Sequence, residues 1–493
     1  MATLPVTRPL PDRPLLRRHH KPWPIEGELH DITVTQGALP EDLCGTLYRI
    51  GPNVRYAPLS GRYNGWMGDG MIHALTLVDG KAHYRNRWVR TPKWRAEDRA
   101  GRAVFDYVLP SKALLSTGME VTRPNAESEG VAQGACNTSV TVHGDLVLAW
   151  GEGQSTPTVV DARSLETIGH PSWTKALGDS MTPVVGENGY GGGHPRVCPL
   201  TGEVIFTTLD VKPPYVVVHI LDPSSGGLRS IPLESPYSSY IHDFMITEQY
   251  AVIVVSPITM SQERVLAGGG LMAWEPDRGT HVAVVPRDGG GEGTLWLEAP
   301  ENFYHLHPQN AYEEAGRIVL DAPEFPIAPV PMEGVDPWQQ FEGLVSHLTR
   351  YEIDLGRRTL ARRRLDDRNV ELPQCDRRYQ GLPYRYGYDL ASGADLDDYN
   401  FDTIVRYDMK TLDVDEHRFD ESDSLAEPLF APRSAEAAEG DGYLLTYVYH
   451  PAEDRSDAVI FDATRLEDAP VATLALPHRV PFTAHGWWAP GIA

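Results

Sequence analysis

The apolar positions of this chain fall in short runs, not in helical stripes. Residues 74–78 and 82–89 are two such runs, and Asp79-Gly80 between them marks a hairpin with a tight two-residue turn. Residues 139–142 and 146–150 flank His143-Gly144-Asp145 in the same way. Residues 204–209 and 215–221 bracket a Pro213-Pro214 break, and 281–286 meet 294–297 across a Gly-rich stretch at 288–293. Later, 403–409, 442–449, 458–461 and 471–476 continue the pattern. Long amphipathic helices are almost absent, and 357–364 is too basic on every face to form a buried one. Strands this short, with turns at intervals of about 8–12 residues, predict an all-β chain. A single sandwich is too small for so many, so a β-propeller is expected. No WD or kelch signature is present to count blades. Residues 110–124 and the Pro-rich 322–338 are long for hairpin loops and read as lids or as plain surface loops.

Composition narrows the function classes. Of 493 residues, 41% are hydrophobic and 23% charged, enough for a large core within one domain spanning 1–493, with 1–25 an irregular arm. Lys plus Arg is 44 against 68 Asp plus Glu, a net charge of −24. Such a surface repels phosphate backbones and anionic headgroups, which excludes nucleic acid as a partner. Cys44, Cys136, Cys198 and Cys375 show no CxxC spacing and read as free thiols of a reducing compartment. The start of the chain reaches Arg17-Arg18-His19-His20 without an apolar h-region, and the run at 250–255 is far short of the roughly 20 residues of a membrane span. A soluble, cytoplasmic monomer is expected. No Gly-x-Gly-x-x-Gly fingerprint and no P-loop occur, so no nicotinamide, flavin or nucleotide site is read.

Four of the 18 histidines stand in distinctive settings: His194 in Gly-His-Pro-Arg, His242 in Ile-His-Asp-Phe, His307 in His-Pro-Gln-Asn-Ala-Tyr-Glu-Glu, and His485 in Ala-His-Gly-Trp. Taken singly, a histidine beside Pro or Gly is a turn residue or a satisfied core group. Separations of 48, 65 and 178 residues forbid one shared helix or hairpin. A propeller removes that obstacle, because its inner strands converge on one axis where four imidazoles can share a metal.

The motifs resemble the carotenoid cleavage oxygenase family, which includes apocarotenoid oxygenases and bacterial lignostilbene dioxygenases. The resemblance runs from Leu47-Tyr48-Arg49-Ile50-Gly51-Pro52-Asn53 to His485-Gly486-Trp487. Between them lie Gly68-Asp69-Gly70-Met71-Ile72-His73, Asn86-Arg87-Trp88-Val89-Arg90-Thr91, the other histidine motifs and Glu427-Pro428-Leu429-Phe430-Ala431-Pro432-Arg433. It implies a seven-bladed β-propeller with a cap of loops and short helices over its top face. It also implies Fe(II) held by His194, His242, His307 and His485; His305 is a near neighbour, but the family ligand precedes the Asn by three residues. Three outer glutamates carry over to Glu152, Glu371 and Glu427. A glutamate that accepts the far N–H of an imidazole fixes its tautomer and orientation.

The activity implied is cleavage of a conjugated C=C bond by O₂ to two carbonyl products. The alkene supplies all four electrons, which agrees with the lack of a reductant site. Lignostilbene-cleaving relatives grip a phenol with a Tyr and a Lys; here the Lys position is Gln133, and Tyr107 lies about one residue off the Tyr position. Gln hydrogen-bonds a phenol but cannot stabilise a phenolate as an ammonium does. The substrate expected is therefore a carotenoid or apocarotenoid, with a stilbene or phenylpropanoid alkene as the alternative. Phe303, Tyr304 and Trp487, near the ligands in sequence, are candidate substrate contacts, although aromatics in a propeller mostly pack between blades. A polyene substrate implies peripheral membrane contact. Two rival classes remain: a non-catalytic binding propeller with core histidines, and a zinc hydrolase. Four protein ligands on zinc usually make a closed structural site, which sets the hydrolase lowest.

Overall fold

The Asp79-Gly80 turn has both residues at positive φ, 50° and 68°. That backbone suits the twist of the strands it joins, Asp69–Val78 and Lys81–Trp88, which pair antiparallel from Val78↔Lys81 to Met71↔Trp88. Lys81–Trp88 alternates solvent-facing and buried residues, as a strand with one covered face must. Hairpins of this kind repeat along the chain in a computed structural model that describes residues 17–57, 66, 68–105, 126–127, 131, 134–152, 156–171, 190–289, 293–335, 341–393 and 399–492. The segment at 110–124 lies outside the described residues.

Seven antiparallel sheets form the blades of a propeller, as expected. Blade 1 carries Gly45–Asn53, Asp69–Val78, Lys81–Trp88 and Gly27–Leu29, and its innermost strand is the C-terminal His485–Pro490. Blade 2 is Ser139–His143 to Thr167–Gly169, and blade 3 is Tyr190–Gly191 to Gly227–Leu233. Blade 4 runs from Met245–Ile246 to Leu295–Glu298, blade 5 from Asn310–Glu314 to Thr359–Arg364, and blade 6 from Asn369–Cys375 to Val414–Arg418. Blade 7 comprises Ser424–Leu425 to Ala472–Ala475, with Val34–Gly37 as its outermost strand. The ring is thus closed twice, by the C-terminal strand inside blade 1 and by an N-terminal strand outside blade 7.

The basic stretch at 357–364 becomes a turn and the solvent-facing outer strand Thr359–Arg364 of blade 5, where arginines keep the sheet edge in water. The loop expected at 322–338 begins as strand Arg317–Glu324, and Ala328, Val330 and Met332 are buried in the main core. That part is a packed connection and not an open lid. Sequence periodicity did not announce the helix Pro92–Ala100, which is short and capped by the Thr91 hydroxyl accepting from the Trp94 N–H at 3.2 Å. Among the described residues no helix is long and apolar enough to cross a membrane.

Two buried histidines give this fold an acid limit. His219 sits between the Thr208 and Ser230 hydroxyls at 2.9 and 2.8 Å, and His73 lies 2.6 Å from the Tyr84 hydroxyl. Burial holds His219 at about 4 and, with His478 and Arg49 adding to it, His73 at about 3, against an ordinary 6.5. Below that ordinary value the unfolded chain takes up protons that the folded one refuses. Stability is therefore complete above about pH 6.5 and falls with decreasing pH, by about 2 kcal/mol per histidine at pH 5. Urea unfolding at pH 7 and pH 5 measures the loss, and His219→Gln should remove its share of the pH dependence. An unchanged pH dependence in that variant would reject the assignment.

Candidate metal centre

The propeller axis collects one polar residue from each blade. His194, His242 and His307 each stand just ahead of the inner strand of blade 3, 4 or 5, and His485 begins the inner strand of blade 1. Glu371 lies on the inner strand Asn369–Cys375 of blade 6, Glu427 just precedes Leu429–Pro432 of blade 7, and Glu152 follows Leu146–Trp150 of blade 2. Local chain geometry aims them. The register of blade 6 shifts between Glu371 and Gln374, and Leu372 adopts φ 52°, a bulge of the kind that redirects a side chain. Gly193, ahead of His194, is packed so closely that a Cβ there would lie 2.6 Å from Thr138 Cγ2 and 2.9 Å from Glu152 Cγ.

The four imidazoles converge. Nε2 of His242 lies 3.0 Å from Nε2 of His194 and 3.0 Å from Nε2 of His307. His485 closes the group, with ring centroids 4.6 Å from both His194 and His307. Three of the rings are held from behind. His307 Nδ1 donates to Glu371 Oε2 at 2.6 Å, His485 Nδ1 to Glu427 Oε1 at 2.8 Å, and His242 Nδ1 lies 2.5 Å from Glu152 Oε1. Among the described residues no glutamate pairs with His194; its Nδ1 is 3.7 Å from Asp243, which is itself paired with Arg196.

This donor set fits a metal. Two Nδ1 protons are committed to carboxylates, and His242 Nδ1 lies between Glu152 and the Tyr240 hydroxyl at 3.0 Å. This turns the Nε2 atoms of these rings towards the centre, where their lone pairs can bind a cation. For metal–nitrogen bonds of about 2.1 Å, right-angle ligands have nitrogens about 3.0 Å apart, against about 3.4 Å for tetrahedral ones. The observed 3.0 Å separations are within the spacing of nitrogens that share one metal. Electrostatics agree. Burial and the three neighbouring imidazoles hold His194 well below its ordinary value, and burial also lowers His485. Burial alone would raise the carboxyls of Glu371 and Glu427, but contact with His307 and His485 outweighs it and holds both below the usual range. His307 goes the other way: contact with Glu371 outweighs burial and raises it, so the carboxylates behind the imidazoles are ionised and strengthen the rings they hold.

The family model described as retinal pigment epithelial membrane protein matches residues 20–490. The chain belongs to the carotenoid cleavage oxygenase family. An isoeugenol monooxygenase of Pseudomonas nitroreducens is 32% identical over 485 residues, 95% of this chain and 96% of that protein. The crystal structure of a Pseudomonas brassicacearum lignostilbene dioxygenase superposes with a TM-score of 0.85 at 30% identity, covering 98% of this chain and 100% of that one. Cobalt-substituted Synechocystis apocarotenoid oxygenase superposes at 0.79 with 28% identity, over 97% and 98% of the two chains. The family is metal-dependent.

In this family member the nominated aromatics part company. Tyr304 is buried beside the cluster, where Glu152, Asp243 and Glu371 act on its hydroxyl; burial raises it well above its ordinary value. Phe303, one residue earlier, points the other way and packs on Tyr351 at 4.8 Å in the core between blades 4 and 5, so it is a packing residue and not a lining one. Trp487 follows His485 by two positions on the same strand face, a step of about 7 Å along the axis, and stacks under Arg377 at 4.1 Å. Tyr107 and Gln133 lie outside the described residues.

Sequence reading passed over the groups that hold the glutamates. Tyr240 donates to Glu152 at 2.9 Å and Tyr399 to Glu371 at 2.9 Å. Gln374 donates to Glu427 at 2.6 Å, and Arg49 stands 3.8 Å from its other oxygen. Only Tyr240 carried a local signal, being two residues from His242 on an extended segment and so on the same face. Tyr399 reaches Glu371 from a later part of blade 6, and Gln374 and Arg49 reach Glu427 from the two blades that flank it.

Proposed function

We propose that this chain is a non-haem iron(II) oxygenase that cleaves a conjugated C=C bond with O₂ into two carbonyl compounds, with His194, His242, His307 and His485 as the iron ligands. One observation carries the reading: seven blades deliver four imidazoles and three carboxylates to one point. When bound, iron(II) supplies the activation of O₂ beside the alkene. The reaction balances without a reductant, because the double bond provides the four electrons that O₂ accepts.

The chain's own residues do the rest. Glu152, Glu371 and Glu427 lie behind three imidazoles and fix their orientation and tautomer, so that the rings present Nε2 to the centre and bind a metal more strongly. Tyr240 and Tyr399 hold two of these carboxylates in place by donating to them. Tyr399 also belongs to an aromatic group with Trp66, Phe341 and Phe482, ring centroids 4.6 to 6.4 Å apart, which joins the metal centre to an aromatic surround suited to a hydrophobic alkene. Cys44, Cys198 and Cys375, which form no disulfide among the described residues, support a cytoplasmic setting.

Gln133, where stilbene-cleaving relatives have a lysine, favours an apocarotenoid substrate. The 32% identity to an isoeugenol monooxygenase favours a phenylpropanoid alkene as the second reading. Aerobic incubation of the iron-loaded protein with an apocarotenal, a hydroxystilbene and isoeugenol, followed by mass spectrometry of the products, separates them. Aldehydes from the apocarotenal alone are expected. Aldehydes from the phenols alone overturn the substrate, and no cleavage of any of the three overturns the activity on this class of alkene.

A further inference from the structure

The three carboxylates behind the imidazoles are not in like surroundings. Besides their histidines, Glu152 and Glu371 meet neutral donors: the Tyr240 hydroxyl for one, the Tyr399 hydroxyl and the Leu372 N–H for the other. Glu427 also accepts from neutral donors, the Gln374 amide and the Gly486 N–H, but it alone has guanidinium groups around it as well. Arg49 is fully buried, with Nε donating to Thr483 Oγ1 at 2.7 Å and one amino group donating to the Glu427 carbonyl at 2.6 Å, 3.8 Å from the Glu427 carboxylate. Arg377 approaches from blade 6. It donates to the Gly486 carbonyl at 2.7 Å and stacks on Trp487, and of the charges around it Glu427 acts most strongly.

A carboxylate that accepts an imidazole N–H makes that imidazole a stronger donor to its metal. A guanidinium beside the carboxylate draws off the charge that does this. We propose that Arg49 and Arg377 are positioning residues that make His485 the weakest donor among the three glutamate-backed ligands and thereby hold the metal in its reduced state. This rests on the iron reading above. The cations also act on the metal directly and with the same sign, because a fixed positive charge disfavours the step from Fe(II) to Fe(III). A need for such a device follows from the chemistry. Alkene cleavage by O₂ returns the iron as Fe(II) without an external electron, and an iron lost to Fe(III) has no reductant of the reaction to restore it.

Arg49 is walled into blade 1, so its loss threatens the fold. Arg377 has one backbone acceptor and an indole face, and carries the test. The full-length iron-loaded protein, R377Q and R377K are compared by metal analysis and by redox titration with mediators, read from the Fe(III) EPR signal. R377Q is expected to bind iron fully and to show an Fe(II):Fe(III) ratio about tenfold lower at a fixed potential, a shift of about 59 mV in a one-electron couple. R377K should stay near the parent protein. An unshifted R377Q with iron bound overturns the inference, and so does an equal shift in R377K, which would assign the effect to packing on Trp487. Absence of iron from the parent protein overturns the metal reading itself.

Discussion

His242→Ala is expected to abolish iron binding and alkene cleavage while leaving the propeller folded. His242 is the ligand to remove because its Nε2 stands 3.0 Å from those of both His194 and His307, so it bridges the group. Truncation leaves Glu152 with the Tyr240 hydroxyl at 2.9 Å and partial access to solvent, which keeps the fold from carrying an unpaired buried carboxylate. The activity loss should go well beyond the roughly 10–100-fold cost of removing an outer partner, because a coordinating atom itself is gone. Metal content by mass spectrometry, product yield and a thermal unfolding curve make the measurement. Retained iron with retained turnover would remove His242 from the ligand set. A non-catalytic propeller with core histidines predicts the opposite pattern: no iron in either protein, and a lowered melting temperature from the cavity.

Much of this architecture is legible in the sequence, for reasons that differ by feature. Hairpins such as that at Asp79-Gly80 are local: two residues at positive φ leave few side chains to choose from, and the flanking runs alternate or stay apolar according to burial. The four histidines share no local signal. They become a group only once each is placed at the entry to an inner strand, and it was the family motifs that placed them. The closure of the ring is invisible to pattern, because Val34–Gly37 and His485–Pro490 look like any other strands and their partners lie hundreds of residues away. Phe303 and Tyr304 show the limit most directly. Both are buried aromatics, four and three residues ahead of His307, yet period-two alternation sends one towards the carboxylates and the other into the seam against Tyr351. The arginines around Glu427 were hidden differently. Arg49 sits in a motif that carried the family resemblance, and its task is apparent only from the Thr483, Ala484 and Glu427 atoms that surround it.

Replacing the three glutamates by glutamine should produce graded losses of iron affinity, in the order Glu152→Gln, Glu371→Gln, Glu427→Gln from mildest to most severe. Each change removes one charge and turns one oxygen into a donor, so the order depends on what each oxygen accepts. At Glu152 the second oxygen meets the Tyr240 hydroxyl, which can reverse and accept from the new amide. At Glu371 the His307, Tyr399 and Leu372 donors all converge on Oε2, and the amide group can occupy the Oε1 side, where no described atom donates. Glu427 has no such freedom. Its Oε1 accepts from His485 and Gln374 while Oε2 accepts from the Gly486 N–H at 3.1 Å, so either orientation sets donor against donor in a fully buried place. An unsatisfied buried donor costs about 1–3 kcal/mol, and here the Arg49 charge also loses its neighbouring carboxylate. Losses of a few-fold, about tenfold and about 100-fold are expected, the range known for outer partners of metal ligands. Competition for Fe(II) against a chelator of known affinity reads them directly, with turnover as the second measurement. Equal losses at all three positions would mean that charge alone, and not the hydrogen-bond inventory of each oxygen, sets the strength of these couples.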